Sequence, residues 1–153
     1  MTVLLHACCG PCASACEPRL KESGHKVVLF FSNSNIDTRE EFERRLAAVR
    51  SLAAADGVEV VADEYDHADW QEQVARGYEN EPEKGARCSR CFRYSLTRAA
   101  RYAAVHGMQA FTTSVTTAML SSRMIRHPAS ALSHDNSWYV PRRPLSKSGK
   151  RFA

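Results

Sequence analysis

All six cysteines of the chain lie in or beside two short stretches that are remote from each other in sequence. They are Cys8, Cys9, Cys12 and Cys16 near the N-terminus, and Cys88 and Cys91 in the middle of the chain. Clustered cysteines in a chain without an export signal are most simply interpreted as thiolate ligands of a metal. A lone helical cysteine is more often a small buried hydrophobic side chain, which is the role expected for Cys16.

The spacing of the other five cysteines is compatible with three kinds of site. A structural zinc site would use the two Cys-x-x-Cys pairs, but it leaves Cys8 without a role. A thioredoxin-like redox pair formed by Cys9 and Cys12 explains neither Cys8 nor the second pair. An iron–sulfur cluster held by four thiolates from two loops uses the adjacent cysteines naturally, and the residues favour it.

Length and composition indicate an ordinary globular protein of one domain. The chain has 153 residues, of which 44% are hydrophobic and 25% charged, enough to bury a hydrophobic core. The N-terminus lacks a basic region followed by a long apolar segment, and no apolar run approaches the length of a membrane span. We therefore expect a cytoplasmic protein without membrane contact, in a compartment where thiols stay reduced.

Charge is unevenly distributed along the chain. Residues 1–120 contain 14 Lys and Arg and 16 Asp and Glu, a net charge of −2, whereas residues 121–153 contain 7 and 1, a net charge of +6. Hydrophobic periodicity also fades after about Ala118. The sequence therefore predicts a folded iron–sulfur domain over residues 1–118 and a basic, poorly ordered tail over residues 119–153. Such a tail either binds nucleic acid or is a solvated end.

Short apolar segments alternate with helical patterns along the domain. Strands are predicted at Thr2–Ala7, Lys26–Phe31, Val58–Val61 and Ala110–Val115. Near-continuous apolar strands are typical of a parallel sheet that is covered on both faces. Alternation of strands with helices implies right-handed crossovers. The predicted fold is therefore α/β: a three-layer, Rossmann-like, mostly parallel open sheet of at least four strands, with an irregular C-terminal tail.

Helical segments connect these strands. They are predicted from Ala13 to Ser23, with Pro18 marking a regular start or a kink, from Thr38 to Gly57, after Asp66, and from the second cysteine pair to Gly107. Thr38 and Glu41 have the spacing of a capping box. The last helix is predicted to have an apolar face, made by Phe92, Leu96, Ala99 and Ala103.

The predicted fold places the cysteines at one edge of the sheet, because ligands of open α/β proteins gather beyond the carboxyl ends of the strands. Cys8 and Cys9 follow the first strand at a strand-to-helix turn, where Gly10 lets the backbone approach a bulky group. The positive end of the following helix favours thiolate. The second pair is expected to flank the start of another helix, where Arg87 and Arg90 add positive charge.

Two motifs in this order are specific. They are Leu5-His6-Ala7-Cys8-Cys9-Gly10-Pro11-Cys12 and Glu83-Lys84-Gly85-Ala86-Arg87-Cys88-Ser89-Arg90-Cys91-Phe92. Together with the helix from Tyr94 to His106, the segment Phe111–Ser114 and the loop Asn33–Asp37, they resemble the QueH-type epoxyqueuosine reductases. The resemblance covers about Val3 to Val115, roughly three quarters of the chain.

The resemblance implies a function that spacing alone does not show. The family catalyses the last step of queuosine synthesis, in which the epoxide of epoxyqueuosine in tRNA is reduced to queuosine. It carries a [4Fe–4S] cluster, whose ligands correspond residue by residue to Cys8, Cys9, Cys88 and Cys91. A further metal beside the cluster, an additional iron, would use the residue that corresponds to Cys12. The implied partners are a tRNA that carries epoxyqueuosine and an electron donor that the sequence does not identify.

Removal of the epoxide oxygen as water consumes electrons and protons, so the reaction needs a metal centre and a proton donor. Cys12, His6 and Asp37 are the candidate catalytic residues, and Asp66 is a further candidate donor by position. For His6, the alternative is a hydrogen-bonded role in the core or behind the metal ligands, and it is the more common role for such a histidine.

Two features depart from the family pattern. Ser95 stands where the family usually has Arg. The chain also has no cysteine after Cys91, whereas family members continue into a region with a redox-active Cys-x-Cys disulfide. These departures support the hypothesis of an incomplete member, truncated or frame-shifted after about residue 118 and either active or inactive. The alternatives are a zinc-stabilised RNA-binding module without catalytic activity and a thiol redox protein.

Overall fold

A computed structural model describes residues 1–115 and 125–126, and within them it shows a five-stranded sheet. The strands are β1 (Thr2–His6), β2 (Lys26–Phe31), β3 (Glu59–Ala62), β4 (Ala110–Thr113) and β5 (Ile125–Arg126). Their spatial order is β3-β2-β1-β4-β5; the first four are parallel, and β5 pairs with β4 in the antiparallel direction. The predicted α/β class, with a mostly parallel open sheet of at least four strands, is therefore confirmed.

Helices cover both faces of this sheet. They are α1 (Gly10–Glu22), α2 (Arg39–Asp56), α3 (His67–Trp70), which a single π-helical turn at Gln71–Ala75 extends, and α4 (Ala86–Val105). On one face, Leu5 of β1 packs in a cluster with Leu46 of α2. On the other face, Leu4 and Phe30 pack against Ala99 of α4. Because successive strand residues point to opposite faces, the apolar runs of β1 and β2 supply the core of both layers.

Helix α2 begins and ends where its sequence predicts. The Thr38 hydroxyl accepts a hydrogen bond from the backbone N–H of Glu41 at 3.2 Å, so one half of the predicted capping box forms. The Glu41 carboxylate instead pairs with Arg44 and Arg45 one turn further along. Gly57 ends the helix in the left-handed conformation, at φ 64°, which glycine adopts without strain.

Helix α1 starts earlier than predicted, at Gly10 rather than Ala13, because Cys9 caps it and Pro11 occupies its first turn. Pro18 lies inside this helix and does not mark its start. The backbone at Gly10 packs closely on α2: a Cβ atom there would lie 3.6 Å from Ala48.

Helix α4 begins at Ala86, so the second cysteine pair lies within its first two turns and does not flank its start. Its predicted apolar face is only partly buried: Ala99 and Ala103 are buried, whereas Phe92 is 44% exposed. The reason is the position of the helix on the sheet. Its buried residues begin at Ser95, so the turns before that residue extend beyond the core.

Strand β4 ends at Thr113 instead of Val115, although the backbone N–H of Ser114 still donates to the carbonyl of His6 at 2.9 Å. The tail predicted over residues 119–153 lies outside the described residues except for β5, and the domain boundary at residue 118 stays a prediction. In the part of the chain that the structure describes, no helix combines the length and apolar character needed to cross a membrane.

Candidate metal centre

The sheet has a topological switch point between β1 and β4. The chain passes from β1 to β2 and β3 on one side of β1, and it then returns to form β4 on the other side. Open α/β sheets bind ligands at such a point, in the crevice beyond the carboxyl ends of the strands. The tandem cysteines follow β1, and Ser114 follows β4, so two loops meet at this crevice.

Three of the predicted metal ligands come together in the turn between β1 and α1. The Sγ atoms of Cys8, Cys9 and Cys12 lie within 4.8 Å of one another, and those of Cys8 and Cys9 are 3.8 Å apart. Cys9 caps α1, because its Sγ accepts a hydrogen bond from the backbone N–H of Cys12 at 3.4 Å. A thiolate at a helix N-terminus is stabilised by N–H groups and by the helix dipole. Cys16 lies one turn further along and packs against the hydrophobic core.

The thiols of Cys8, Cys9 and Cys12 differ in pKa. Burial raises the pKa of Cys9, but hydrogen bonds from Cys12 and Cys8 and the charge of Arg45 outweigh it and lower this pKa below its ordinary value. The hydrogen bond to Cys9, together with burial, raises the pKa of Cys12 to about 12. Burial also raises the pKa of Cys8. Cys9 therefore ionises first, and a metal must displace the protons of the other two thiols.

Two side chains from neighbouring loops hold the tandem-cysteine turn. The Ser114 hydroxyl accepts a hydrogen bond from the backbone N–H of Cys8 at 3.2 Å and donates to Cys8 Sγ at 3.5 Å. The buried side chain of Asn33 donates to the carbonyl of Ala7 at 2.9 Å. These bonds fix the backbone on both sides of the first thiol, so its position depends on the loops that follow β2 and β4.

The second cysteine pair lies in a different environment on α4. Cys88 Sγ accepts a hydrogen bond from the backbone N–H of Lys84 at 3.3 Å. Burial raises the pKa of Cys91, and the indole N–H of Trp70 opposes this rise. The indole N–H of Trp70 is buried and has no hydrogen-bond partner of standard geometry among the described residues. It nevertheless acts on the Cys91 sulfur and lowers its pKa. Within residues 1–115, neither cysteine joins a group of three potential ligands like the one around Cys9.

His6 is buried and has both ring nitrogens engaged. Nε2 lies 2.9 Å from the carbonyl oxygen of Ser32, and Nδ1 lies 3.0 Å from the hydroxyl oxygen of Thr113. A carbonyl oxygen only accepts hydrogen bonds, so Nε2 carries the proton and Nδ1 accepts from the threonine. Burial lowers the pKa of His6. The neutral ring links the end of β1 to the ends of β2 and β4.

The other predicted proton donors lie at separate positions. Asp37 is exposed and lines a cleft of about 370 Å³ together with Arg45. Arg45 connects this cleft electrostatically with the cysteine trio, because its charge helps to lower the pKa of Cys9. Asp66 has a capping role, since its carboxylate accepts a hydrogen bond from the backbone N–H of Asp69 at 2.9 Å and begins α3.

A charged network, which the sequence did not indicate, connects α4 with the carboxyl ends of β2 and β3. Asp63 accepts hydrogen bonds from Ser32 Oγ at 2.6 Å and from Arg98 Nε at 2.5 Å. Burial raises the pKa of Asp63, but the bonds from Arg98 and Ser32 outweigh it and hold this pKa below its ordinary value. Arg98 also contacts the hydroxyl of Tyr94, which donates to Asp69 at 2.7 Å. The network holds the helix that carries the second cysteine pair at the same edge of the sheet.

The fold and the site together define an α/β protein with a thiol-rich candidate metal centre at the switch point of a parallel sheet. The family model described as epoxyqueuosine reductase QueH matches residues 3–142 of the chain. The chain therefore belongs to the QueH family. The match extends beyond Val115, where the resemblance based on motifs ends.

Curated relatives cover the same part of the chain. An epoxyqueuosine reductase QueH from Acinetobacter baylyi is 38% identical over 113 residues, which are 74% of this chain and 51% of the relative. The relative from Haemophilus influenzae is 36% identical over 110 residues, which are 72% of this chain and 44% of the relative. The chain thus spans about half the length of the curated relatives it matches.

Proposed function

We propose that the protein reduces the epoxide of epoxyqueuosine in tRNA to queuosine with the help of an iron–sulfur cluster. Membership of the QueH family supports the reaction. The observation that carries the proposal is the trio of thiols within 4.8 Å at the switch point of the sheet. Thiolates are soft anionic ligands that suit iron and zinc, so the donor set fits a metal cofactor.

The proposed ligands of a [4Fe–4S] cluster are Cys8, Cys9, Cys88 and Cys91. Two observations support the contribution of both stretches. The first two turns of α4 extend past the buried part of the helix, and Arg98 contacts Asp63 just beyond β3. Helix α4 therefore projects from the edge at which the tandem cysteines emerge. When bound, the cluster would supply electrons for removal of the epoxide oxygen.

The remaining residues of the site have separate proposed roles. Cys12 is the proposed ligand of an additional iron, because it is the third thiol of the trio. Ser114 and Asn33 hold the turn that presents the ligands. Asp37 is the proposed proton donor, since its exposed carboxyl group lines a cleft together with Arg45, whose charge acts on Cys9. For His6, a donor role would require breaking one of its two hydrogen bonds, to the Ser32 carbonyl or to the Thr113 hydroxyl.

The proposed partners are a tRNA that carries epoxyqueuosine and an external electron donor, and the proposed location is the cytoplasm. The excess of basic residues over acidic ones in residues 121–153, 7 against 1, supports contact with tRNA. Low-potential reduction of an iron–sulfur centre requires a redox partner, whose identity the chain does not specify.

An assay on epoxyqueuosine-containing tRNA tests the proposed reaction. The full chain is reconstituted with iron and sulfide without oxygen and supplied with a strong reductant, and the nucleosides are analysed by mass spectrometry. We expect queuosine to appear with the parent and with Cys16→Ala, and to be absent with Cys9→Ala. Cys16 is the matched control because it packs against the core. Failure of the iron-loaded parent to form queuosine would refute the activity of this chain.

Metal analysis tests the proposed ligands independently of activity. We expect Cys88→Ala, purified without oxygen, to contain much less iron and sulfide than the parent, while Cys16→Ala matches the parent. Iron and sulfide at the parent level in Cys88→Ala would show that the second pair does not bind the cluster.

A second candidate is a zinc-stabilised RNA-binding module, and one observation favours it. Zinc–thiolate bonds of about 2.3 Å in a tetrahedral site place the sulfur atoms about 3.8 Å apart. The Sγ atoms of Cys9 and Cys12, the first pair that such a site would use, lie within 4.8 Å of each other, close to this separation. The two candidates differ in colour: protein with an iron–sulfur cluster is brown, whereas zinc protein is colourless and would not reduce the tRNA.

A further inference from the structure

Phe92 is an exposed aromatic side chain directly beside the second cysteine pair. It is 44% exposed, and among the described residues the other large hydrophobic side chains of comparable exposure are Met1 and Val105, near the ends of the chain and of α4. Phe92 follows Cys91 in sequence and stands one helical turn after Cys88. Residues four apart on a helix are neighbours on its surface. A flat group that stacks on Phe92 would therefore lie next to Cys88.

The helix that carries Phe92 is strongly basic. Helix α4 contains five arginines and no Asp or Glu. Arg93 is exposed beside Phe92. One turn earlier, Arg90 lies over the ring of Tyr78, with 4.7 Å between its guanidinium carbon and the ring centroid, and donates to the carbonyl of Gln73. The surface thus combines an open aromatic face with cationic groups.

Two of the three acidic side chains of the preceding loop accept hydrogen bonds from backbone N–H groups, and the third, Glu83, is exposed. The Glu79 carboxylate accepts a hydrogen bond from the backbone N–H of Gly77, and the Glu81 carboxylate accepts one from Ala86 at the start of α4. Among the described residues neither carboxylate pairs with Arg93, so the positive charge of this exposed side chain is available to an anion. An aromatic face flanked by cations is the arrangement with which proteins hold unpaired bases of RNA.

We infer that Phe92 is a stacking platform for an unpaired base of the RNA substrate, and that Arg93 contacts the adjacent phosphate. The inference rests on the proposed function in one respect, that the substrate is an RNA. Beyond the proposed function, it assigns contact with the RNA to the first two turns of α4, where a stacked base would lie beside Cys88.

Binding of RNA without any chemistry tests the inference. The probes are a fluorescein-labelled RNA hairpin with an unpaired loop and a blunt duplex with the same stem, titrated with the full chain and followed by anisotropy. We expect Phe92→Ala to weaken hairpin binding about 10- to 100-fold, the usual effect of losing one stacking ring. Phe92→Tyr should retain hairpin binding within about threefold, because the tyrosine ring also stacks. Val105→Ala, at the far end of the same helix, is the matched control and should bind like the parent.

Salt dependence separates the stacking contact from the phosphate contact. We expect Arg93→Gln to reduce the slope of log K against log salt by about 0.7, the value for one phosphate of a single strand. Phe92→Ala should leave this slope unchanged. Neither substitution should alter the weaker binding of the blunt duplex by a comparable factor.

Three results would overturn the inference: a parent that does not bind the hairpin, equal hairpin affinity for Phe92→Ala and the parent, or equal loss of hairpin and duplex binding. Equal affinity combined with lowered stability to urea would show that a protein segment covers Phe92 instead. Because no reductant or epoxide is present, the result is independent of the tRNA assay. Normal queuosine formation without an effect of Phe92 on binding would refute the inference alone, whereas hairpin binding through Phe92 without queuosine formation would refute the proposed reaction alone.

Discussion

The Arg98→Met substitution tests whether the ion pair with Asp63 holds α4 at the edge of the sheet. Methionine keeps an unbranched apolar stem but removes the charge and the N–H donors. The Arg98 and Asp63 side chains are 26% and 19% exposed, so the pair is largely but not completely buried. In the variant, Asp63 retains its hydrogen bonds from the Ser32 hydroxyl and from the backbone N–H of Glu64.

These contacts set the expected size of the effect. Exposed ion pairs contribute at most about 1 kcal/mol, whereas removal of one partner of a buried pair costs about 3–5 kcal/mol. We expect Arg98→Met to lower the free energy of unfolding by about 2 kcal/mol, because Asp63 keeps two hydrogen bonds. The pKa of Asp63 is held below its ordinary value of 3.8. The stability that the ionised Asp63 contributes is therefore fully present above pH 3.8, and it is lost as the pH falls through the lower pKa that Asp63 has in the folded protein.

Urea unfolding at neutral pH measures the change. Arg101→Met, at an exposed position of the same helix, is the matched control and should change the free energy of unfolding by less than about 0.5 kcal/mol. A double-mutant cycle with Asp63→Asn isolates the pair, and we expect a coupling free energy of about 1–2 kcal/mol. If Arg98→Met behaved like the control, or if the cycle showed no coupling, the ion pair with Asp63 would not be what holds α4 at the edge of the sheet.

Three further predictions concern the edge of the sheet. The pKa of His6 lies below its ordinary value of 6.5. As the pH is lowered from 6.5, the free energy of unfolding should therefore decrease by up to about 1.4 kcal/mol per pH unit. Urea unfolding of His6→Gln at several pH values should lack this contribution to the pH dependence. In metal-free protein near neutral pH, iodoacetamide should modify Cys9 before Cys12, as measured by peptide mass spectrometry, because the pKa of Cys9 is lowered and that of Cys12 is about 12; modification of Cys12 first would contradict the assignment of the thiolate. Ser114→Ala should lower the free energy of unfolding by about 1–3 kcal/mol, because it removes the acceptor of the Cys8 N–H; an unchanged urea midpoint would show that this bond contributes nothing.

Local signals were sufficient to predict most strands and the best-defined helix. Strand β2 has the predicted bounds, Lys26–Phe31, because an apolar run of this length has few alternatives once the sheet is covered on both faces. Thr38 and Gly57 delimit α2 as predicted, because a side-chain cap and a left-handed glycine act on the backbone within one turn.

The start of α4 was not predictable in the same way. Its N-cap is Gly85, whose lack of a side chain leaves the helix without a local cap. One N–H group of the first turn is instead satisfied by Glu81, whose carboxylate accepts a hydrogen bond from the backbone N–H of Ala86 at 3.0 Å. Because this pair does not have the spacing of a capping box, the sequence offers no signal for it. The exposure of Phe92 was missed for a related reason: periodicity indicates an apolar face but not where the sheet beneath it ends.

The chemistry of the site depends on strand register as much as on the cysteine motif. His6 and Thr113 are partners in the parallel ladder between β1 and β4, so Ser114 lies one residue beyond, where its hydroxyl reaches Cys8. Successive strand residues point to opposite sides, and a slip of one residue would bring Thr113 or Val115 to the position of Ser114. The motif supplies the thiols, but a contact between residues 106 positions apart orients the first of them. No local pattern encodes that contact, which is why the sequence predicted the ligands and not the residues that hold them.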